Sequence, residues 1–232
     1  MKYGIEAASI YVPHIYLPIK DLAIKRNIDP EKLELGLGLK KMAILDVHED
    51  TATIAANTLL KLIKDFNINP ADIGRIYLGT ESALDGAKPT ATYAVQLVES
   101  VLTDEFGARV FRHTDVVDMT FACVGGVDAM HNSIDYVRIN PEKKAIVIAA
   151  DYAKYGLEST GEYTQGAGAV AVLISNKPDL ISFDNIWGIG MESVFDFFKP
   201  RQSTSNSEIL NALETTKSEI EIFSDEPVFE GQ

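Results

Sequence analysis

The segment Ala145-Ile146-Val147-Ile148-Ala149-Ala150 has no polar side chain on either side of an extended chain, so a strand built from it must be covered on both faces. Residues 167–175 form a second run of this kind. Further strands are read at residues 4–12, closed by Pro13, at 75–80, at Asp115–Met119 and from Ile181 toward Trp187. Apolar residues recur at helical spacing in Ala55, Leu59, Leu62, Ile63 and Phe66, behind the capping groups of His48-Glu49-Asp50-Thr51. They recur again in Val127, Met130, Ile134 and Val137, and shorter helical patterns occupy 17–27, before an Asp29-Pro30 turn, and 93–101. Buried strands alternating with amphipathic helices predict an α/β layered fold, with helices on both faces of a largely parallel sheet.

Composition removes several function classes. Acidic residues number 34 against 21 basic ones, a net charge of −13, and no Lys/Arg cluster builds the positive stripe that nucleic acid requires. No apolar run approaches the roughly 20 residues that span a bilayer, and Met1-Lys2-Tyr3-Gly4-Ile5-Glu6 lacks the apolar core of a secretory signal, so the expected location is cytoplasmic. A single cysteine can form neither an internal disulfide nor a zinc site by itself. Cys123 is therefore either a buried hydrophobe or a reactive thiol.

Its surroundings are those of a nucleophile. Thr120-Phe121-Ala122-Cys123-Val124-Gly125-Gly126 joins a predicted strand to a predicted helix, whose amino-terminal N–H groups favour a thiolate and offer an oxyanion site. Gly125 and Gly126 leave room for a substrate beside the backbone. Read locally, most lone cysteines are nonetheless buried and inert. In Gly79-Thr80-Glu81-Ser82 an acidic residue closes a strand, at the sheet end where open α/β folds bind ligands. Glu81 is thus a candidate acid/base, although a loop glutamate is ordinarily a solvated charge or a cap. A third segment, from Asp151 through Gly161-Glu162-Tyr163-Thr164-Gln165-Gly166-Ala167-Gly168-Ala169, is a polar loop feeding a glycine-rich strand, for which a ligand site and a structural turn fit equally.

Taken together these segments resemble the 3-hydroxy-3-methylglutaryl-CoA synthase family, of thiolase-like αβα fold. Its reacting cysteine sits in Ala-Cys-x-(Gly/Ala), as at Ala122–Gly125, and its acid/base glutamate in Gly-Thr-Glu-Ser, as at Gly79–Ser82. A Tyr-Gly-Leu segment followed by Glu-x-Thr-Gln-Gly-Ala-Gly-Ala matches from Tyr155 to Ala169, and Gly-(Leu/Ile)-Gly-x-x-Lys-Met matches from Gly36 to Met42. Four ordered matches over about 200 residues are far more specific than one motif. The resemblance implies that Cys123 is acetylated by acetyl-CoA and that Glu81 deprotonates the acetyl group. The carbanion then adds to acetoacetyl-CoA, and water releases the enzyme, in the mevalonate pathway. It implies Tyr155, Thr164, Ala122 and Gly125 as substrate-binding residues, CoA thioesters as substrates, no metal or other cofactor, and a homodimer. Lys40, Lys41, Lys154, His48, His113 and His131 are read as surface or structural residues.

The family's catalytic histidine lies in its carboxy-terminal half, whereas no histidine here lies beyond His131. Residues 1–175 are read as the thiolase-like amino-terminal half. Residues 176–232 are read as the start of the second half, with a modest helix at 207–222 and a polar insert at 201–223 that suits proteolytic cleavage. Phe195–Pro200 and Val228–Gln232 resemble family stretches that precede the histidine. A truncation, a cleavage product and one chain of a split enzyme all fit, and each needs the remaining half or a second chain. Three rival readings are a synthase of polyketide β-branching acting on acyl carrier protein thioesters, a non-catalytic half, and a ketoacyl synthase or thiolase, which Gly79-Thr80-Glu81-Ser82 fits poorly.

Overall fold

The computed structural model describes residues 2–184 and 186–192. Those of Met1–Lys154 and Tyr163–Asn185 form one compact unit, and Tyr155–Glu162 belongs to a second. The expected segments at 195–200, 201–223 and 225–232 lie outside the described residues.

The first unit is built on a six-stranded sheet of order β5-β4-β6-β7-β1-β8. Its strands are β1 (Gly4–Tyr11), β4 (Ile73–Gly79), β5 (Asp115–Met119), β6 (Lys144–Ala153), β7 (Gly166–Ser175) and β8 (Ile181–Ser182). The long helices α3 (Thr51–Asp65) and α4 (Thr90–Phe106) cover one face, and α5 (Gly125–Ile139) lies on the other. Every second residue of the central strands, among them Ile76 and Leu78, Ile146 and Ile148, and Ala171 and Leu173, joins the α3 and α4 side chains in one core. The intervening Tyr77, Ala145 and Val147 are buried under α5.

Only half of the sheet is parallel. β4 runs parallel to β5 and β6, whereas β7 is antiparallel to both β6 and β1. The sequence cannot show this, because a strand covered on both faces is apolar throughout whichever way its neighbour runs.

A smaller assembly precedes the main core. β2 (Ile15–Pro18) pairs antiparallel with β3 (Lys41–Ile44), and α1 (Ile19–Lys25) and α2 (Pro30–Gly36) lie between them in sequence. Ile19, Leu22, Ala23, Leu33 and Met42 form its own cluster. The Asp29-Pro30 pair, read as a turn, opens α2: proline stands at the first helical position and the Asp29 carboxylate accepts from Glu31 N at 3.0 Å.

The expected cap of α3 is Asp50, in a reciprocal pair with Thr53. Neighbouring Glu49 serves another purpose, accepting the Tyr11 hydroxyl at the end of β1 and the Asp46 amide at 2.9 Å. Hydrogen bonding to Glu49 is the main reason that the Tyr11 phenol is pushed up from 10.0 to about 12, with burial adding to it. Because the folded value is the higher one, the stability this bond gives is fully present below pH 10 and is lost as pH rises through about 12. In a tyrosinate absorbance titration, Tyr11→Phe should remove a phenol that titrates near pH 12.

Candidate active site

The parallel strands β5, β4 and β6 all end at one edge of the sheet, where ligands bind in folds of this type. What brings two of these ends together is the absence of side chains. A Cβ placed on Gly79, the last residue of β4, would stand 2.3 Å from Gly126 N and 2.7 Å from Gly125 C. One on Gly125 would stand 2.4 Å from the Met119 carbonyl oxygen, at the end of β5. The room expected beside Gly125 for a substrate is therefore filled by the protein's own backbone. Through this contact the first turn of α5 sits directly on the end of β4, and the segments carrying Cys123 and Glu81 become neighbours.

Cys123 is exposed, which settles its local environment in favour of an accessible thiol. It lies in a short 3-10 turn, Ala122–Val124, between β5 and α5. The Phe121 carbonyl accepts from Val124 N and Gly125 N, both at 3.0 Å, so the chain doubles back around the thiol. Ala122 takes a φ of +39, in the left-handed region that a residue with a Cβ occupies at a cost of about 1–3 kcal/mol. The helix that follows has no side-chain cap, leaving the thiol beside the positive end of the α5 dipole.

Glu81 is half-buried, two residues beyond β4. Its turn is held by the Asp151 carboxylate on β6, which opens the polar segment read from the sequence as a ligand site or a structural turn. One oxygen of Asp151 accepts from Glu81 N at 2.7 Å and from the Thr80 hydroxyl at 2.9 Å, and lies 3.1 Å from the Ser82 hydroxyl. Ser82 Oγ also accepts from Tyr152 N at 3.0 Å, and Thr80 N donates to the Met119 carbonyl at 3.2 Å. The three strand ends are thus laced to one another. Burial raises the Asp151 carboxyl above its ordinary value, and the bonds from Glu81, Thr80 and Ser82 pull it part of the way back.

Thr164 lies in a short turn just before β7, whose first residue Gly166 pairs with Ala153 of β6, so it stands at the same sheet edge. Tyr155 belongs to the second unit, where Gly161 packs on its ring: a Cβ at Gly161 would stand 2.8 Å from Tyr155 Cγ.

Residues 1–179 match the profile of the family described as hydroxymethylglutaryl-coenzyme A synthase N terminal. The chain belongs to the hydroxymethylglutaryl-CoA synthase family. The hydroxymethylglutaryl-CoA synthase of Haloferax volcanii is 39% identical over 202 residues, 86% of this chain and 44% of that protein. Among solved structures, MvaS in complex with 3-hydroxy-3-methylglutaryl coenzyme A is similar with a TM-score of 0.78 and 34% identity, over 91% of this chain and 50% of that one. The curacin-pathway HMG synthase in complex with acetyl donor-ACP has a TM-score of 0.73 and 25% identity, over 92% of this chain and 52% of that one. The chain spans about half the length of the family members it matches. Among its described residues, no helix is long and apolar enough to cross a membrane.

Three substitutions probe this lacing. Gly79→Ala forces backbone apart from backbone and should cost about 3 kcal/mol or more, read as a lowered urea midpoint. Asp151→Ala, which strands the donors of Thr80 and Glu81, should cost about 1–3 kcal/mol. Because the folded carboxyl is raised, stability from Asp151 declines as pH rises from 3.8 through the raised value. Asp151→Asn should flatten that decline in urea titrations at stepped pH.

Proposed function

We propose that this chain supplies the nucleophile and the base of a hydroxymethylglutaryl-CoA synthase, Cys123 and Glu81. The reading is carried by the Gly79 contact with Gly125 and Gly126, which brings the segment of an exposed thiol at a helix amino terminus next to the Glu81 turn. The Cys123 thiolate attacks the acetyl-CoA carbonyl; the C–S bond to CoA breaks, CoA leaves as its thiol, and an acetyl-cysteine remains. Glu81 takes a proton from the acetyl methyl group. The resulting carbanion forms a C–C bond with the ketone carbon of acetoacetyl-CoA, whose oxygen is protonated to the alcohol, and water cleaves the cysteine thioester. Nothing beyond CoA thioesters is needed as cofactor, and the product places the reaction in the mevalonate pathway.

Ala122, Tyr155 and Thr164 carry over as substrate-binding residues on their motif positions, whereas Gly125 serves the packing of α5 on the ends of β4 and β5. The family's histidine, which would face the acetoacetyl group, belongs to the family's carboxy-terminal half. An apolar row supports the need for such a half or a second chain. Ile10, Val170 and Ala149 are register partners on β1, β7 and β6, all exposed on the α5 face, and Ala149 Cβ lies 3.3 Å from where a Gly126 Cβ would stand. The edge of β5, open among the described residues and with Val117 exposed, suits pairing with a second copy.

The curacin-pathway synthase is named with an acyl carrier protein, so a carrier-protein thioester is the second reading. A net charge of −13 without a basic cluster favours free CoA.

Intact-protein mass spectrometry after incubation with acetyl-CoA should find an acetyl adduct that Cys123→Ala abolishes. Glu81→Ala should keep the adduct and lose condensation with acetoacetyl-CoA by about 100-fold or more. An adduct that persists without Cys123 would sink the assignment, and loss of acetylation in Glu81→Ala would mean that Glu81 acts earlier.

A further inference from the structure

α4 begins without a cap of its own. Its first helical residue, Thr90, follows Pro89, which offers no side-chain acceptor, yet four amides at a helix start need partners. A local Ser, Asp or Asn would answer that need. Here the answer comes from another strand: Asp118 Oδ2 accepts from Thr90 N at 2.5 Å and Asp118 Oδ1 from Ala91 N at 2.9 Å.

This choice of partner links two pieces of chemistry. Thr90, held by Asp118, accepts from Leu84 N through its own hydroxyl at 3.0 Å, three residues beyond Glu81. Between them, Asp85 accepts from Ala87 N, Lys88 N and the Tyr93 hydroxyl, tying the same loop to the next turn of α4. On its other side, Asp118 is bonded covalently to Met119, whose carbonyl accepts from Thr80 N and Phe121 N and whose strand runs into the Cys123 turn. Asp151 fixes the near end of the glutamate loop; Asp118 fixes the far end, from the strand that carries the thiol.

We propose that Asp118 is a positioning residue, which holds the Glu81 loop in register with Cys123 by anchoring α4 to β5. The proposal rests on Cys123 and Glu81 being nucleophile and base. A carboxylate serving only as a helix cap would influence α4; one serving as an anchor between loop and nucleophile must influence the condensation step. Misplacement of a base by up to about 1 Å slows its step by up to about 100-fold, and an earlier step that does not use the base is left untouched.

The test compares Asp118→Asn and Thr90→Val with the unaltered protein, each combined with the carboxy-terminal half that the site requires, in three readouts: amide hydrogen exchange, acetyl transfer to Cys123, and condensation with acetoacetyl-CoA. Asp118→Asn should speed exchange around Leu84 by about tenfold, keep acetyl transfer within about twofold, and lower the condensation kcat by about tenfold with little change in KM. Thr90→Val keeps the capped helix and removes only the Leu84 link, and should reproduce the loss in condensation. Exchange that rises only in the first turn of α4, or Thr90→Val condensing at the unaltered rate, would overturn the proposal even if Asp118→Asn fails to fold. If the unaltered protein takes up no acetyl group, the catalytic assignment fails, and exchange around Leu84 alone then decides whether Asp118 anchors the loop.

Discussion

The site depends on backbone touching backbone. Gly79, Gly125 and the Met119 carbonyl meet where three parallel strands end and one helix begins, at distances that no Cβ permits. Remove that contact and the thiol turn and the glutamate turn have no common floor. Every polar bond described around it acts on segments this contact has already placed: Asp151 on the near side of the Glu81 turn, Asp118 on the far side, and Thr80 between β4 and β5.

Such lacing explains how an acidic protein can position yet more acid. Asp85, Asp118 and Asp151 each receive backbone amides, so negative charge is spread over N–H dipoles and the loops bend toward them. Burial raises the Asp151 carboxyl, which marks the place where order is gained at the expense of solvation.

Much of this was legible in the sequence, for identifiable reasons. The strands at β4, β5, β6 and β7 announce themselves as apolar runs, and the turns holding Cys123 and Glu81 as small or acidic residues at strand ends. β2 and β3 are four residues each, too short for a period of two to show. Val127 fits the apolar stripe of α5 but is exposed. Phe66, counted in the α3 stripe, is half-exposed at the helix end. The anchoring aspartates left no trace, since their partners are backbone amides 28 and 70 residues away and an amide has no letter in the sequence.

The left-handed Ala122 gives the thiol a further property. A short peptide spanning this turn would have no reason to hold a conformation its own residues disfavour; the shape is imposed by the surrounding sheet and helix. The accessible, dipole-facing sulfur is therefore an emergent feature of the assembled chain. A partly folded copy carries the same cysteine without its poise.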